Sequence, residues 1–349
     1  MERERKRMAR RAAVAAGLGI AVTATHVAAY NSFFPRYERP DYSVTPGLSC
    51  HSRIEHSLSR RCFFIPGRDT ELAAYYYLSK SFRGLVVFSH GYRSGADDYL
   101  SLILALVECG YSVLAYDGVG TFDSGGTSGI GMCQALVDLD FVLNYIRESE
   151  YSDMPLYLVG HSRGGYAAAS VLAMHPEVKA AALIAPMNNG ATVMIDMAER
   201  YVGDVARAAK PFFNIYQRIL FGDYVEYSGT RGINSTDAPV LIAQGLNDRV
   251  MTVDSLSIYA EREIITNPNV EYYLTDGACG THSGILYSKR ANEYREEVGE
   301  RLEALTAERG ELSHDELAGF YAEVDHALYS EVNDELVDAM IKIFKKSNK

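Results

Sequence analysis

Leu156-Tyr-Leu-Val-Gly-His-Ser-Arg-Gly-Gly165 is the stretch whose reading decides the fold. An apolar run of strand formers ends in Gly-His-Ser-Arg-Gly and passes into the small-residue segment Tyr166–Met174. This is G-x-S-x-G in the setting that gives it meaning: strand, sharp turn, helix. Such a turn strains the backbone at Ser162 and lifts its hydroxyl above the sheet edge. Gly160 and Gly164 leave room where the chain would pass close to itself. The following helix points its first N–H groups at the same place.

A serine held this way needs an acid and a base, and in folds built on such an elbow they follow it in the chain order Asp or Glu, then His. Pro239–Gly245 reads as a buried strand that runs into Leu246-Asn-Asp-Arg-Val250. Asp248, just past the strand end, is the expected acid, where it would orient an imidazole and stabilise its cation. Asp254 fits the first turn of a helix beginning near Thr252. Asp276 is too close in sequence to the candidate base. Four histidines follow Ser162. His175 precedes a proline before Asp248, and His314 and His326 sit in helical patterns. His282 follows the alternating segment Val270–Leu274 and the glycine-rich loop Thr275–Thr281, which makes it the expected general base. Gly84–Arg93 is a further strand ending in His-Gly. The loop after it and the residue after the nucleophile nominate the backbone amides of Tyr92 and Arg163 as an oxyanion hole. His90 is expected to hold that loop by packing and hydrogen bonds.

These pieces resemble the α/β-hydrolase superfamily, in the branch of serine aminopeptidase-like proteins, monoglyceride lipases and lysophospholipases. The matching residues are His90-Gly91, Tyr116-Asp117 with its glycine-rich loop to Gly126, Gly160–Gly164, Gly245–Asp248 and His282. They occur in the family's order across residues 62 to 310. The loop Asp117–Gly126 lacks the Arg-Gly-His-Gly often seen there. The resemblance implies a hydrolase that needs no cofactor and leaves the substrate open.

Apolar runs at Leu85–Ser89, Ser112–Tyr116, Leu156–Val159, Ala180–Ala185, Pro239–Ala243 and Val270–Leu274 alternate with helical patterns near 97–109, 131–148, 164–174 and 252–265. Such alternation predicts an α/β chain with a mostly parallel central sheet and helices on both faces. Cys62–Ile65 and Glu71–Leu78 are expected as antiparallel edge strands. The predicted core is 62–187 with 238–311. Residues 188–237 are too long for a plain connection and rich in Met, Phe and Tyr, which predicts a helical cap over the site. Residues 312–349 open with the capping box Ser313-His-Asp-Glu316 and continue as a helical extension.

Met1–Arg11 holds six basic and two acidic residues, and Ala12–Tyr30 has no charged side chain. A 19-residue helix spans about 28 Å, close to a bilayer's hydrocarbon thickness. Residues 1–30 are therefore expected as a signal anchor, or as a signal peptide cleaved near Val27-Ala-Ala29, with 31–61 as a stem or wrapping segment. The catalytic domain would then face outward on the cell membrane or be secreted. The whole chain carries a net charge of −11. That acidity argues against nucleic acid as a partner. Five scattered cysteines make no disulfide scaffold, although Cys50 and Cys62 could pair. No spacing suits a metal, phosphate loop or dinucleotide. The expected chemistry is acyl transfer to water on a small hydrophobic ester. An aminopeptidase is the alternative, with Asp196, Glu199 and Asp204 as a possible amine-binding patch. A second alternative is a non-catalytic binding protein on the same fold.

Overall fold

The computed structural model describes residues 30–48, 50–54 and 58–347. Among them, eight strands form one sheet in the order β1-β2-β4-β3-β5-β6-β7-β8. The strands are β1 (Arg60–Pro66), β2 (Glu71–Tyr77), β3 (Leu85–Ser89), β4 (Ser112–Tyr116), β5 (Leu156–His161), β6 (Val178–Ile184), β7 (Val240–Gly245) and β8 (Val270–Thr275). β1–β2 and β2–β4 pair antiparallel, and every other pair is parallel. Every residue of β3, β4 and β5 is buried. These strands are apolar on both faces because helices cover both, which is why they read as continuous runs rather than alternations. The result is the expected α/β-hydrolase architecture.

One face carries α1 (Leu100–Glu108), whose Ile103 and Leu106 are buried. The other carries α2 (Gln134–Glu148) and α3 (Arg163–Ser170), with Leu136, Leu143 and Tyr166 in the core. Between β6 and β7 the chain forms α4 (Val193–Val202), α5 (Asp204–Phe221) and α6 (Gly229–Asn234). After β8 come α7 (Lys289–Arg309), α8 (His314–Ala322), α9 (His326–Tyr329) and α10 (Asp334–Lys346). The Ser313–Glu316 capping box forms at the start of α8. α10 packs beside α1, and its Phe344 ring lies 4.8 Å from Tyr157 of β5 and 5.3 Å from Tyr111.

The segment before β1 wraps the domain. The Arg36 guanidinium binds the carbonyls of Phe122, Ser124 and Gly126. Arg39 bridges Asp97 at 2.5 Å and Asp123 at 2.6 Å. Farther along, Asp41 meets His314 at 2.8 Å, the Pro46 carbonyl lies 2.6 Å from His326 Nδ1, and the Leu48 amide donates to Ser330 Oγ. All five cysteines are free, so Cys50 and Cys62 do not pair.

Two expectations are corrected. The helix expected at 252–265 is a series of turns followed by a 3₁₀ stretch, Ile258–Ile264. There the polar side chains compete for local backbone groups: Ser257 Oγ donates to the Thr252 carbonyl, and the Ala260 amide donates to Ser257 Oγ. The membrane anchor is the second. No helix among the described residues is long and apolar enough to cross a membrane, and residues 1–29 lie outside them. Tyr30, expected as the last residue of the span, is instead buried against Phe213 and Tyr216 of α5. The described residues thus give no support to the membrane partner or the membrane location that the anchor implied.

Phe344→Ala tests whether α10 belongs to the cooperative core. It is expected to cost about 3–5 kcal/mol in urea unfolding, the range for emptying a buried aromatic site. An unchanged midpoint would place α10 outside that core.

Candidate active site

The turn after β5 is shaped by two close approaches. A Cβ on Gly160 would lie 2.2 Å from the Gly164 carbonyl oxygen, and one on Gly164 would lie 2.0 Å from that of Ser89. No side chain fits either position. Ser162 between them adopts φ 56° and ψ −113°, a conformation that L-residues seldom take. Its amide is held by the Ile184 carbonyl at 2.8 Å, and its own carbonyl accepts from Tyr166 N–H at the first turn of α3. The side chain is thereby fixed at the C-terminal end of the sheet.

His282, Asp248 and Ser162 come from three separate loops and meet in one line of hydrogen bonds. His282 Nε2 lies 2.9 Å from Ser162 Oγ, and its Nδ1 lies 2.7 Å from Asp248 Oδ2. With Nδ1–H donating to the carboxylate, Nε2 is free to accept the serine hydroxyl proton. Asp248 is fully enclosed. Its Oδ1 accepts the Val250 and Met251 amides at 2.8 and 2.9 Å, and Gln244 Nε2 reaches Oδ2 at 3.3 Å.

The rival residues lie elsewhere. Asp254 is exposed, and its carboxyl is held below the usual range by Thr252. Asp276 is exposed at the head of a 3₁₀ turn. His175 binds Asp140 and Glu177, while His314 and His326 clasp the wrapping segment. Arg163 is the first residue of α3, where the amide has no intrahelical partner. Its guanidinium turns away to the Gly131 and Met132 carbonyls. Tyr92 follows Gly91 in the loop after β3, and both Tyr92 and Arg163 line the same cavity as Ser162 and His282.

His90 holds the loop, as expected. It accepts the Gly118 amide at Nε2 and donates from Nδ1 to the Gly91 carbonyl, each at 2.8 Å. Burial, with the Arg163 cation nearby, pushes its pKa down to about 4.

Sequence reasoning missed three supporting residues. Tyr99 accepts the Gly91 amide at 3.1 Å and donates to His161 Nδ1 at 2.8 Å. His161 Nε2–H then donates to the His282 carbonyl at 3.0 Å. This series ties the Tyr92 loop to the His282 loop through the residue before Ser162. Burial and the neighbouring His282 lower the His161 pKa to about 3, which keeps the neutral tautomer that this pattern requires. Gln244 is the third. A histidine inside the motif and a glutamine inside an apolar strand were visible signals, whereas Tyr99 offered none.

Above the serine is a cavity of about 680 Å³. Its walls include Tyr30, Phe33, Met194, Tyr201, Phe212 and Met251. No aspartate or glutamate is among the described residues that line it. Asp196 is paired with Lys210 at 2.7 Å, and Glu199 and Asp204 share Arg207 at 2.7 and 2.6 Å. The described residues contain no cluster of side chains suited to a metal ion.

Residues 80–224 match the family described as serine aminopeptidase, S33. The matched span includes the Tyr92 loop and Ser162 but ends before Asp248 and His282. No curated protein sequence matches the chain. Among solved structures, an esterase from Pyrococcus furiosus is similar at 20% identity and a TM-score of 0.52, over 74% of this chain and 94% of that one. A Butyrivibrio proteoclasticus protein with ferulic acid bound shows 17% identity and a TM-score of 0.49, over 71% of this chain and all of that one. An acylaminoacyl peptidase from Pyrococcus horikoshii shows 18% identity and a TM-score of 0.48, over 66% of this chain but 39% of that one. At these identities the likeness is one of fold.

Two predictions follow from the site's supports. Tyr99→Phe removes the hydroxyl that joins the two loops. It is expected to slow fluorophosphonate labelling of Ser162 by about tenfold and, because the Gly91 amide and His161 Nδ1 lose a buried partner, to cost about 1–3 kcal/mol in urea unfolding. Equal labelling rates would show that the loops hold without it. The second concerns pH. Below its ordinary value of 6.5 the unfolded chain takes up a proton that folded His90 refuses down to about pH 4. The unfolded state therefore binds more protons in this window, and stability from His90 is lost as pH falls from 6.5 towards 4. In urea titrations His90→Asn is expected to gain on wild type between pH 7 and pH 4.5. A constant gap would contradict the buried neutral imidazole.

Proposed function

We propose that the chain is a serine hydrolase of the α/β-hydrolase superfamily, cleaving carboxylic esters with a hydrophobic acyl group. The observation that carries this reading is the unbroken series Ser162 Oγ, His282, Asp248 at 2.9 and 2.7 Å, opening onto a cavity walled by apolar side chains.

In this mechanism His282 Nε2 takes the hydroxyl proton as Ser162 Oγ attacks the ester carbonyl. Asp248 holds the imidazole in the required tautomer and stabilises its cation. The Tyr92 and Arg163 amides bind the oxyanion of the tetrahedral intermediate, where one such donor is typically worth about 3 kcal/mol. Collapse expels the alkoxide, which takes the proton from His282 and leaves an acyl-enzyme. Water, deprotonated by His282, attacks the acyl carbon. Ser162 recovers its proton and the carboxylic acid departs. No step calls for a metal or cofactor.

The cap favours esters over aminopeptidase substrates. Recognition of a free α-amine needs an unpaired carboxylate facing the site, and Asp196, Glu199 and Asp204 are all engaged by Lys210 and Arg207. An apolar acyl chain asks only for the side chains already lining the walls. An alkoxide is also a better leaving group than an amine.

Labelling with a fluorophosphonate probe tests the reading directly. Wild type is expected to react and Ser162→Ala to remain unlabelled. Ser162→Ala and His282→Ala are each expected to lower kcat on p-nitrophenyl esters by on the order of 10⁴-fold. Aminoacyl anilides are expected to turn over far more slowly than the esters. An unreactive wild type, or full turnover after His282→Ala, would overturn the assignment.

A further inference from the structure

Tyr30 and Phe33 line the cavity, although they precede the family-matched span by about 50 residues. They belong to a short strap, Tyr30–Tyr37, that crosses from the cap to the loops at the sheet's end. At its start the Tyr30 ring packs at 5.6 Å from Phe213 and 5.3 Å from Tyr216, both on α5. Tyr216 also donates its hydroxyl to Asn31 Oδ1 at 3.1 Å. In the middle, the Tyr92 hydroxyl donates to the Phe33 carbonyl, and the Phe34 ring meets the Tyr92 ring edge-on at 5.6 Å. At its end, backbone bridges pair Pro35 with Ser128 and Tyr37 with Thr121. Between these bridges Arg36 occupies three carbonyls. The strap is thus held at both ends and at its centre.

We propose that this strap is a specificity-determining wall of the cavity, and that Phe33 sets the length of acyl chain the site accepts. The inference rests on the ester-hydrolase reading. Phe33 is 52% exposed and still lines the cavity, so its ring stands where the cavity gives way to solvent. Tyr30 is 6% exposed and forms the interior surface beside it. A chain that ends short of Phe33 keeps its tip among the side chains that line the cavity. A longer one must displace the ring or lie in water. Each methylene sheltered by such a wall is worth about fourfold in kcat/KM, from the usual value of burying a CH₂ group. The backbone anchors matter here, because a wall that swung aside would not discriminate by length. The same strap grips the side chain of Tyr92, whose amide is the proposed oxyanion donor. Cap, chain-length limit and oxyanion loop are therefore joined by one short segment.

The test uses the full chain and two substitutions at a half-exposed position, Phe33→Ala and Phe33→Trp. The readout is kcat/KM across p-nitrophenyl esters from acetyl to palmitoyl, with fluorophosphonate labelling of Ser162 in parallel. Phe33→Ala is expected to move the optimum to longer chains and Phe33→Trp to shorter ones, by about fourfold per methylene near the limit. Labelled enzymes with the wild-type profile in both variants would overturn the inference and leave the hydrolase reading standing. A wild type that does not label would remove the hydrolase reading, and this inference with it.

Discussion

The approach of α3 to the end of β3 is the constraint from which the site is built. With no side chain at Gly164, the elbow backbone lies against the Ser89 and His90 carbonyls. That contact fixes the height of Ser162 above the sheet. It also sets the distance between Ser162 and the loop that carries Tyr92. Strain at Ser162 is sustained because the surrounding backbone leaves it no alternative: its amide is bound on one side and its carbonyl on the other. A relaxed φ would cost both bonds and withdraw the hydroxyl from His282.

Around this point the polar groups form a closed arrangement rather than a single line. His282 is held through its ring by Asp248 and through its carbonyl by His161. Asp248 in turn receives two backbone amides and Gln244. These bonds are buried or partly buried, where low local dielectric strengthens a satisfied network and makes an unsatisfied one costly. Placing an imidazole to within a fraction of an ångström on a loop requires such support.

The strands and the elbow were legible because their signals are local. β3, β4 and β5 are short apolar runs ended by polar or glycine residues, and the glycines at 160 and 164 have a steric reason that spacing alone suggests. Ser162, Asp248 and His282 stood out by chain order and by their places after strand ends, and the structure brings the three within hydrogen-bonding distance. What was not legible depends on partners distant in the chain. Tyr99 has no motif, and its role exists only where β3, β5 and the His282 loop converge. The turns at 252–257 carry a helix-like apolar spacing, but their hydroxyls bind backbone locally. Tyr30 closes an uncharged run, and composition cannot distinguish an apolar side chain facing lipid from one facing a cap. The helical spacing of α10 predicts a helix packed on the core, but nothing in its amphipathic pattern names the surface it covers. Phe344 settles that by meeting Tyr157 in the middle of the sheet.

The clasp between the wrapping segment and the last helices has a consequence for how the molecule comes into being. Asp41 and His314 are 273 positions apart, Pro46 and His326 are 280, and Leu48 and Ser330 are 282. A ribosome releases the first member of each pair long before it makes the second. Closing contacts of such sequence separation is slow, because the intervening chain must first be ordered. Residues 41–48 are thus made early and are among the last to find their permanent neighbours. Until the C-terminal helices emerge, the strap's downstream neighbour lacks its final anchorage, and the nascent sheet must gather its strands beside an unsecured flank.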